Sequence, residues 1–254
     1  MGALKCNRCG AKAFYLRMHS GESLCENCFR RSIERIVSRT LASTRLLTPS
    51  EKIVVVSSGG TYALAGLYLT WLTEKRFPEV ELKTIIIDEP YVKPRYINPY
   101  KIATSLSEKL GLEFIVTHPT SIGHDCWETR IRTAVEIALQ EGFTTIIMCR
   151  PVEEDVAIKF YRLLRYGLSN FIKHKYNIKI INVFDKITFV EAMKYGRLLG
   201  LPLFVTWCGQ YTKIYSYFLR LLKYTYIESP TSKFALKSSL ETIEKAIKGA
   251  AGNP

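Results

Sequence analysis

Ile53-Val54-Val55-Val56-Ser57-Ser58-Gly59-Gly60-Thr61 is the stretch that decides how this chain folds. A β-branched run ends in two serines and two glycines, and an apolar segment, Tyr62 to Leu72, follows at once. The run suits a strand buried on both faces. The glycines let the chain turn sharply into a helix. Backbone N–H groups at such a turn can close on an anion, although a tight turn with no ligand has the same pattern. Ser57, Ser58, Gly59 and Gly60 are therefore the candidate anion-binding residues.

Outward from this stretch, short apolar runs alternate with amphipathic segments. Ile53–Ser57, Lys83–Asp88, Glu113–Thr117, Thr144–Cys149 and Lys179–Phe184 read as strands, with Leu201–Trp207 a sixth candidate. Ile102–Leu110, Thr129–Gln140, Phe189–Leu199 and Leu236–Lys248 read as helices from their apolar spacing. Strand–helix alternation predicts an α/β fold, a doubly wound parallel sheet with helices on both faces. Ligands of such sheets sit at the carboxyl ends of the strands. The most apolar run, Tyr62 to Leu72, falls short of the ~20 residues a membrane span needs. No apolar signal region precedes the first cysteine, so a cytoplasmic location with reduced thiols is expected, and no membrane partner.

Upstream, Cys6-Asn7-Arg8-Cys9 and Cys25-Glu26-Asn27-Cys28 form a C-x2-C-x15-C-x2-C pattern. Two thiolates on each tight turn supply two edges of a tetrahedron, so Cys6, Cys9, Cys25 and Cys28 are expected to hold a structural zinc ion in a ribbon. His19, between the pairs, reads as a surface residue. After the ribbon, Ile33, Ile36, Val37 and Leu41 share one helical face, while Arg31, Arg35 and Arg39 make a basic row. Such a row is either a solvated face or a set of phosphate contacts. The formal net charge of +13 favours a polyanionic partner, nucleic acid first. The expected division is a ribbon over 1–29, a basic helix and connector over 30–50, the α/β domain over 51–228, and a C-terminal helix and tail over 229–254.

At the strand ends, Asp88 and Glu89 suit a ribose, a metal or a helix cap. Cys149-Arg150-Pro151-Val152-Glu153-Glu154 follows the fourth strand. Cys126 heads the helix that carries Arg130, and Cys208 follows the last apolar run. Each cysteine is either a small buried hydrophobe or a thiol facing the pocket.

In this order the pieces resemble the ATP-pyrophosphatases that thiolate tRNA, the TtuA type and the related cytosolic thiouridylases. Ser58-Gly59-Gly60 matches the family's S-G-G-x-D-S loop, and Ile87-Asp88-Glu89 with Arg95 its D-E-G-I-x-G-Y-R stretch. Cys126 and Arg130 match C-x-x-C-G-x-x-[KR]-R, Cys149 to Glu154 match G-H-N-L-D-D, Cys208 matches the late cysteine, and Glu228 with Pro230 the closing E-x-P. The resemblance implies an adenine nucleotide alpha-hydrolase fold. It also implies ATP with magnesium to adenylate a tRNA uridine, and an iron–sulfur cluster on three cysteines. Arg130, Glu154, Cys126 and Cys208 are the catalytic candidates it implies; Cys149, a cysteine the family pattern lacks, is a further candidate that could complete three thiolates with Cys126 and Cys208 for a 4Fe-4S cluster.

The chain departs from the family at the chemistry. Thr61-Tyr62-Ala63 replaces x-D-S, Gly123 stands where the first cluster cysteine belongs, and Arg150 replaces a histidine. Lost carboxylate at the loop removes stabilisation of a magnesium-bound triphosphate. The first expectation is therefore a pseudoenzyme, a tRNA-binding subunit with impaired catalysis that pairs with an active paralogue or with itself as a dimer. An active sulfurtransferase with an altered loop and cluster is the alternative. A reused fold acting as a binding module is the third reading.

Overall fold

The computed structural model describes residues 4–44, 51–77, 79–89, 96–119, 126–171, 176–206 and 213–251. Arg95, Gly123, Cys208 and most of the 44–50 connector lie outside the described residues. The chain forms two compact units. One comprises Met1–Ser32, Val152–Lys175 and Thr212–Pro254; the other comprises Ile33–Pro151 and Tyr176–Tyr211. This differs from the linear division expected above, because two helices from inside 51–228 group with the ribbon and the C-terminal helix.

The larger unit is built on five parallel strands: β3 (Lys52–Ser57), β4 (Glu81–Ile87), β5 (Phe114–Thr117), β6 (Thr145–Met148) and β7 (Lys179–Asn182). Their order is β5-β4-β3-β6-β7. Five of the six β3 residues and all four of β6 are buried, as strands covered on both faces require. α2 (Thr61–Glu74), α3 (Pro99–Lys109), α4 (Cys126–Gln140) and α6 (Phe189–Leu198) cover the sheet. Leu64 of α2, Ile86 of β4 and Ala103 of α3 share one core cluster, which puts α2 and α3 on the same face. The crossover through α4 runs from β5 back past β3 to β6, so a right-handed connection sets α4 on the opposite face. The switch of direction falls between β3 and β6, where the loop after Ser57 sits.

The smaller unit holds the ribbon hairpin, β1 (Tyr15–Arg17) and β2 (Glu22–Leu24), with α5 (Val152–Phe171), α7 (Lys213–Glu228) and α8 (Ser232–Ala251). α5 packs on both α7 and α8. Phe160 and Phe218 meet edge to face at 4.5 Å between ring centroids. α5 is interrupted at Gly167, whose φ of 66° breaks the helical path. α1 (Glu26–Ser43) follows the ribbon. Phe29, Ile33, Val37 and Leu41 recur every fourth residue along it and are fully buried.

The sixth expected strand is a correction. Leu201–Thr206 joins no described sheet. Pro202 has no N–H to give a ladder, and the backbone groups of Phe204 are taken by Thr61 instead.

Candidate functional site

The four ribbon cysteines converge. Their sulfur atoms all lie within 4.8 Å of one another, with Cys9 and Cys25 at 3.5 Å. A tetrahedron of Zn–S bonds about 2.3 Å long has edges near ~3.8 Å, so the donor set fits a tetrahedral cation. Local backbone builds each half. Gly10, at φ 74°, closes the first turn by donating to the Cys6 carbonyl at 2.9 Å. Cys6 donates its N–H to Ala11 at 2.7 Å. Cys28 lies in the first turns of α1, so the helix itself delivers the last thiol. The hydrogen bond with Cys25 pushes the Cys28 thiol up to about 12, because four crowded thiols cannot all ionise without a cation. Arg17 and Arg8 both grip Glu22 across the hairpin, at 2.9 and 2.7 Å. His19 is outside the sulfur cluster; it is half-buried, with its ring on Phe234 of α8 at 4.7 Å, rather than a plain surface residue.

Arg31, Arg35 and Arg39 are exposed on α1, opposite its buried face. They form the row that their spacing predicts.

The strand-end loop is tightly laced. Gly59 has a φ of 78°, and a Cβ there would stand 2.2 Å from the Pro99 carbonyl oxygen, so no other residue fits. Its N–H donates to Ser57 Oγ at 3.2 Å. Ser58 and Thr206 hydroxyls pair at 2.9 Å. Thr61 Oγ1 reaches the Pro202 and Phe204 carbonyls at 2.6 and 2.8 Å and accepts the Phe204 N–H at 2.8 Å. The Thr61 N–H, first of α2, donates to the Phe204 carbonyl at 3.1 Å. Tyr62 is buried, its ring 6.1 Å from that of Phe189 on α6. Thr206, Phe204 and Pro202 are partners that sequence reading missed. They lie some 140 residues from the loop, and no local pattern links them to it.

Around the neighbouring strand ends, charges pair internally. Glu89 is held by Arg130 through both oxygens, with Nη2 donating to Oε2 at 2.7 Å and Nε to Oε1. Both side chains are buried. This bidentate pair is where the structure places Arg130, one of the catalytic candidates. Asp88, half-buried, is approached by His118 Nδ1 at 3.8 Å and caps no described helix. The Arg150 guanidinium lies 3.7 Å from the centroid of the Trp127 ring. Its backbone is locked to Asn182, which accepts the Arg150 N–H at 2.8 Å and donates to its carbonyl at 2.9 Å.

Of the two readings open for Cys149, the buried one matches its surroundings. Its Sγ would touch a Cβ at Gly66 of α2 at 2.2 Å, and burial pushes its thiol up to about 12. It is a space-filling thiol beneath α2 rather than a thiolate facing a pocket. Cys126 begins α4. Cys208 is outside the described residues.

In the smaller unit, Glu153, Glu154 and Asp155 occupy the first turn of α5, where the helix dipole favours carboxylates. Glu153 accepts from Lys233 Nζ at 2.6 Å in a buried pair, and Asp155 meets Lys159 at 3.3 Å. Glu154 is half-buried beside them.

Residues 5–30 match the family described as 2-thiouridine synthetase TtuA, N-terminal LIM domain. Cytoplasmic tRNA 2-thiolation protein 1 of Drosophila willistoni is 35% identical over 85 residues, covering 33% of this chain and 24% of that protein. A probable sulfurtransferase of Methanocaldococcus jannaschii is 32% identical over 81 residues, covering 32% of this chain and 24% of that protein. The match thus spans 24% of the length of these curated relatives. The U34-tRNA thiolase NcsA from Methanococcus maripaludis, solved with its 4Fe-4S cluster, superposes with a TM-score of 0.81 at 19% identity, over 98% of this chain and 88% of that chain. Fold and ribbon define the class: an adenine nucleotide alpha-hydrolase fold carrying a four-cysteine ribbon able to hold a metal. The ribbon is similar to the N-terminal domain of 2-thiouridine synthetase TtuA, and about a third of the chain is similar to tRNA 2-thiolation proteins.

No described helix is long and apolar enough to cross a membrane.

Proposed function

We propose that the chain is a cytoplasmic, tRNA-binding member of the tRNA 2-thiolation family whose ATP-pyrophosphatase catalysis is impaired. One observation carries this reading. Where the resemblance expects an aspartate, Tyr62 is buried against α6, and the first N–H of α2 is already spent on the Phe204 carbonyl. A triphosphate cradled here would lack that carboxylate and one of its backbone donors. Ser57, Ser58, Gly59 and Gly60 remain the residues that would face a nucleotide, with Asp88 near the neighbouring strand end.

Zinc is the cation that suits Cys6, Cys9, Cys25 and Cys28, and a closed four-thiolate site gives it a structural role. It holds the ribbon hairpin against the start of α1. Arg31, Arg35 and Arg39 are the residues proposed to contact tRNA phosphates. Catalysis, if supplied in trans, comes from an active paralogue or a second copy of the chain.

The test is calorimetry with ATP and Mg²⁺ on protein purified without oxygen. The expected result is no heat up to millimolar ATP from well-folded protein. Micromolar binding, or bound iron in stoichiometric amount, would overturn the impaired reading. It would favour an active sulfurtransferase using Cys126 and Cys208, with Glu154 in the acidic first turn of α5. If purified protein shows no tRNA affinity at any salt concentration, the family fold has been reused as a different binding module.

A further inference from the structure

α7 presents a face that its packing does not use. Tyr217, Arg220, Leu221 and Tyr224 recur at three- and four-residue spacing, so they share one side of the helix. All four are exposed, Tyr217 at 64% and Tyr224 at 72%. The opposite side, Tyr215, Leu219 and Leu222, is buried. On α5, which packs against α7, Leu164 and Leu168 are exposed as well, and the Arg165 guanidinium lies 5.8 and 5.4 Å from the rings of Tyr161 and Tyr166.

Charge decides what fits this face. Beside the exposed rings the charged side chains are Arg162 and Arg165 of α5 and Arg220 and Glu228 of α7, whereas Lys159 is paired with Asp155 and Glu244 and the acids of α5 stand in its first turn, away from this face. A second copy offering the same face would set like charges together, which opposes self-association. A polyanion meets no such opposition. Aromatic rings interleaved with guanidinium groups are the chemistry that holds unstacked bases and their phosphates. Spacing narrows the choice further. Tyr217 and Tyr224 are two turns apart, about 10 Å along the axis. Stacked bases rise only about 3.4 Å per step, so a strand with its bases splayed apart reaches both rings and a duplex does not.

We propose that this face of α7 binds a single-stranded RNA segment, with bases stacking on Tyr217 and Tyr224 and Arg220 contacting the phosphate between them. The inference rests on the reading of the chain as an RNA-binding protein. It adds a stacking surface that the basic row of α1 does not provide.

The test is fluorescence anisotropy on the full chain with two separate probes, a labelled ten-nucleotide oligouridine and an unmodified tRNA transcript. The doubly substituted Tyr217→Ala, Tyr224→Ala chain should lose roughly tenfold or more in oligouridine affinity. Its melting temperature should be unchanged, since both side chains are exposed. Arg220→Ala should lower the salt slope of binding by about one. The surface is overturned if wild-type protein fails to bind oligouridine, or if the double variant binds it as well as wild type. It is also overturned if light scattering shows the double variant turning a dimer into monomers with RNA affinity intact. The two readings separate cleanly. Loss of oligouridine binding in a chain that never bound tRNA keeps the surface and sinks the tRNA reading. Binding of tRNA that only the Arg31, Arg35 and Arg39 substitutions weaken does the opposite.

Discussion

The ribbon and the strand-end loop are both sharp turns rich in glycine and side-chain donors, yet they are held in different ways. The ribbon makes its site from residues at most 22 positions apart, Cys6 to Cys28, and from hydrogen bonds within the same hairpin. The loop after β3 takes its partners from far along the chain: Pro99 against Gly59, Thr206 against Ser58, and Phe204 against Thr61. A short-range site is set by spacing and ligand chemistry. A long-range one is set by whatever the fold delivers, and here it delivers carbonyl and hydroxyl groups that occupy the turn from within.

Breaking the ribbon should have the largest effect. Cys25→Ser removes one of four thiolates. Structural zinc sites bind with about 10–16 kcal/mol, so most of that affinity is at stake. Metal analysis should show the ribbon's bound metal, proposed to be zinc, falling close to zero, and limited proteolysis should cut within residues 5–30 while leaving the sheet unit protected. Retained zinc with an intact hairpin would mean that three thiolates suffice, and the contrast with the loop would weaken.

At the loop, Gly59→Ala should cost about 3 kcal/mol or more, from the left-handed backbone together with the collision against Pro99. Denaturant unfolding measures it. A change below 1 kcal/mol would show that the turn adjusts, and that its conformation is not imposed by α3.

The buried end of α2 offers a measurement with the opposite sign. Both carboxylate oxygens of Glu74 are buried without a hydrogen-bond partner among the described residues, and burial pushes its pKa up to about 7. The folded chain therefore holds this proton more tightly than the unfolded one, whose value is near 4.5. Stability contributed by the protonated form is present below about 4.5 and declines as pH rises to about 7. Glu74→Gln should raise stability by roughly 2 kcal/mol at pH 8 and change little at pH 4. Equal effects at both pH values would mean that the carboxyl finds water or a partner in solution.

The smallest expected effect tests the lacing itself. Thr61→Val keeps the shape but removes the hydroxyl, leaving the Phe204 N–H without its acceptor, at about 1–2 kcal/mol. If this variant also gains measurable ATP affinity in the calorimeter, the segment Leu201–Thr206 is what keeps the loop closed. If affinity stays absent, the buried Tyr62 is the stronger obstacle.

Much of this architecture was legible beforehand. The five strands follow from β-branched runs between turn residues, and α1 shows its buried face through Phe29, Ile33, Val37 and Leu41. α5 and α7 were not read as helices, because aromatic, β-branched and glycine residues blur their periodicity, and Gly167 breaks α5 outright. Which of its two readings Cys149 takes is not legible from the sequence. It follows the last β6 residue, and which face it takes depends on the pleat relative to α2, where Gly66 leaves the space it fills. The Arg130–Glu89 pair escapes a linear reading because Glu89 is 41 residues earlier and meets Arg130 only once β4 and α4 are in place.

By itself the sequence determined what depends on near neighbours: the cysteine quartet, the parallel α/β order, the glycine at position 59 and the exposed arginine row. Spacing, propensity and alternation act over a few residues, and so they survive in a linear reading. Only the tertiary structure decided which groups remain available for chemistry. It placed Glu89 on Arg130, Glu153 on Lys233, Phe204 on Thr61 and Cys149 beneath Gly66. Buried polar groups must find partners wherever the packed chain brings them, and that choice is made in three dimensions.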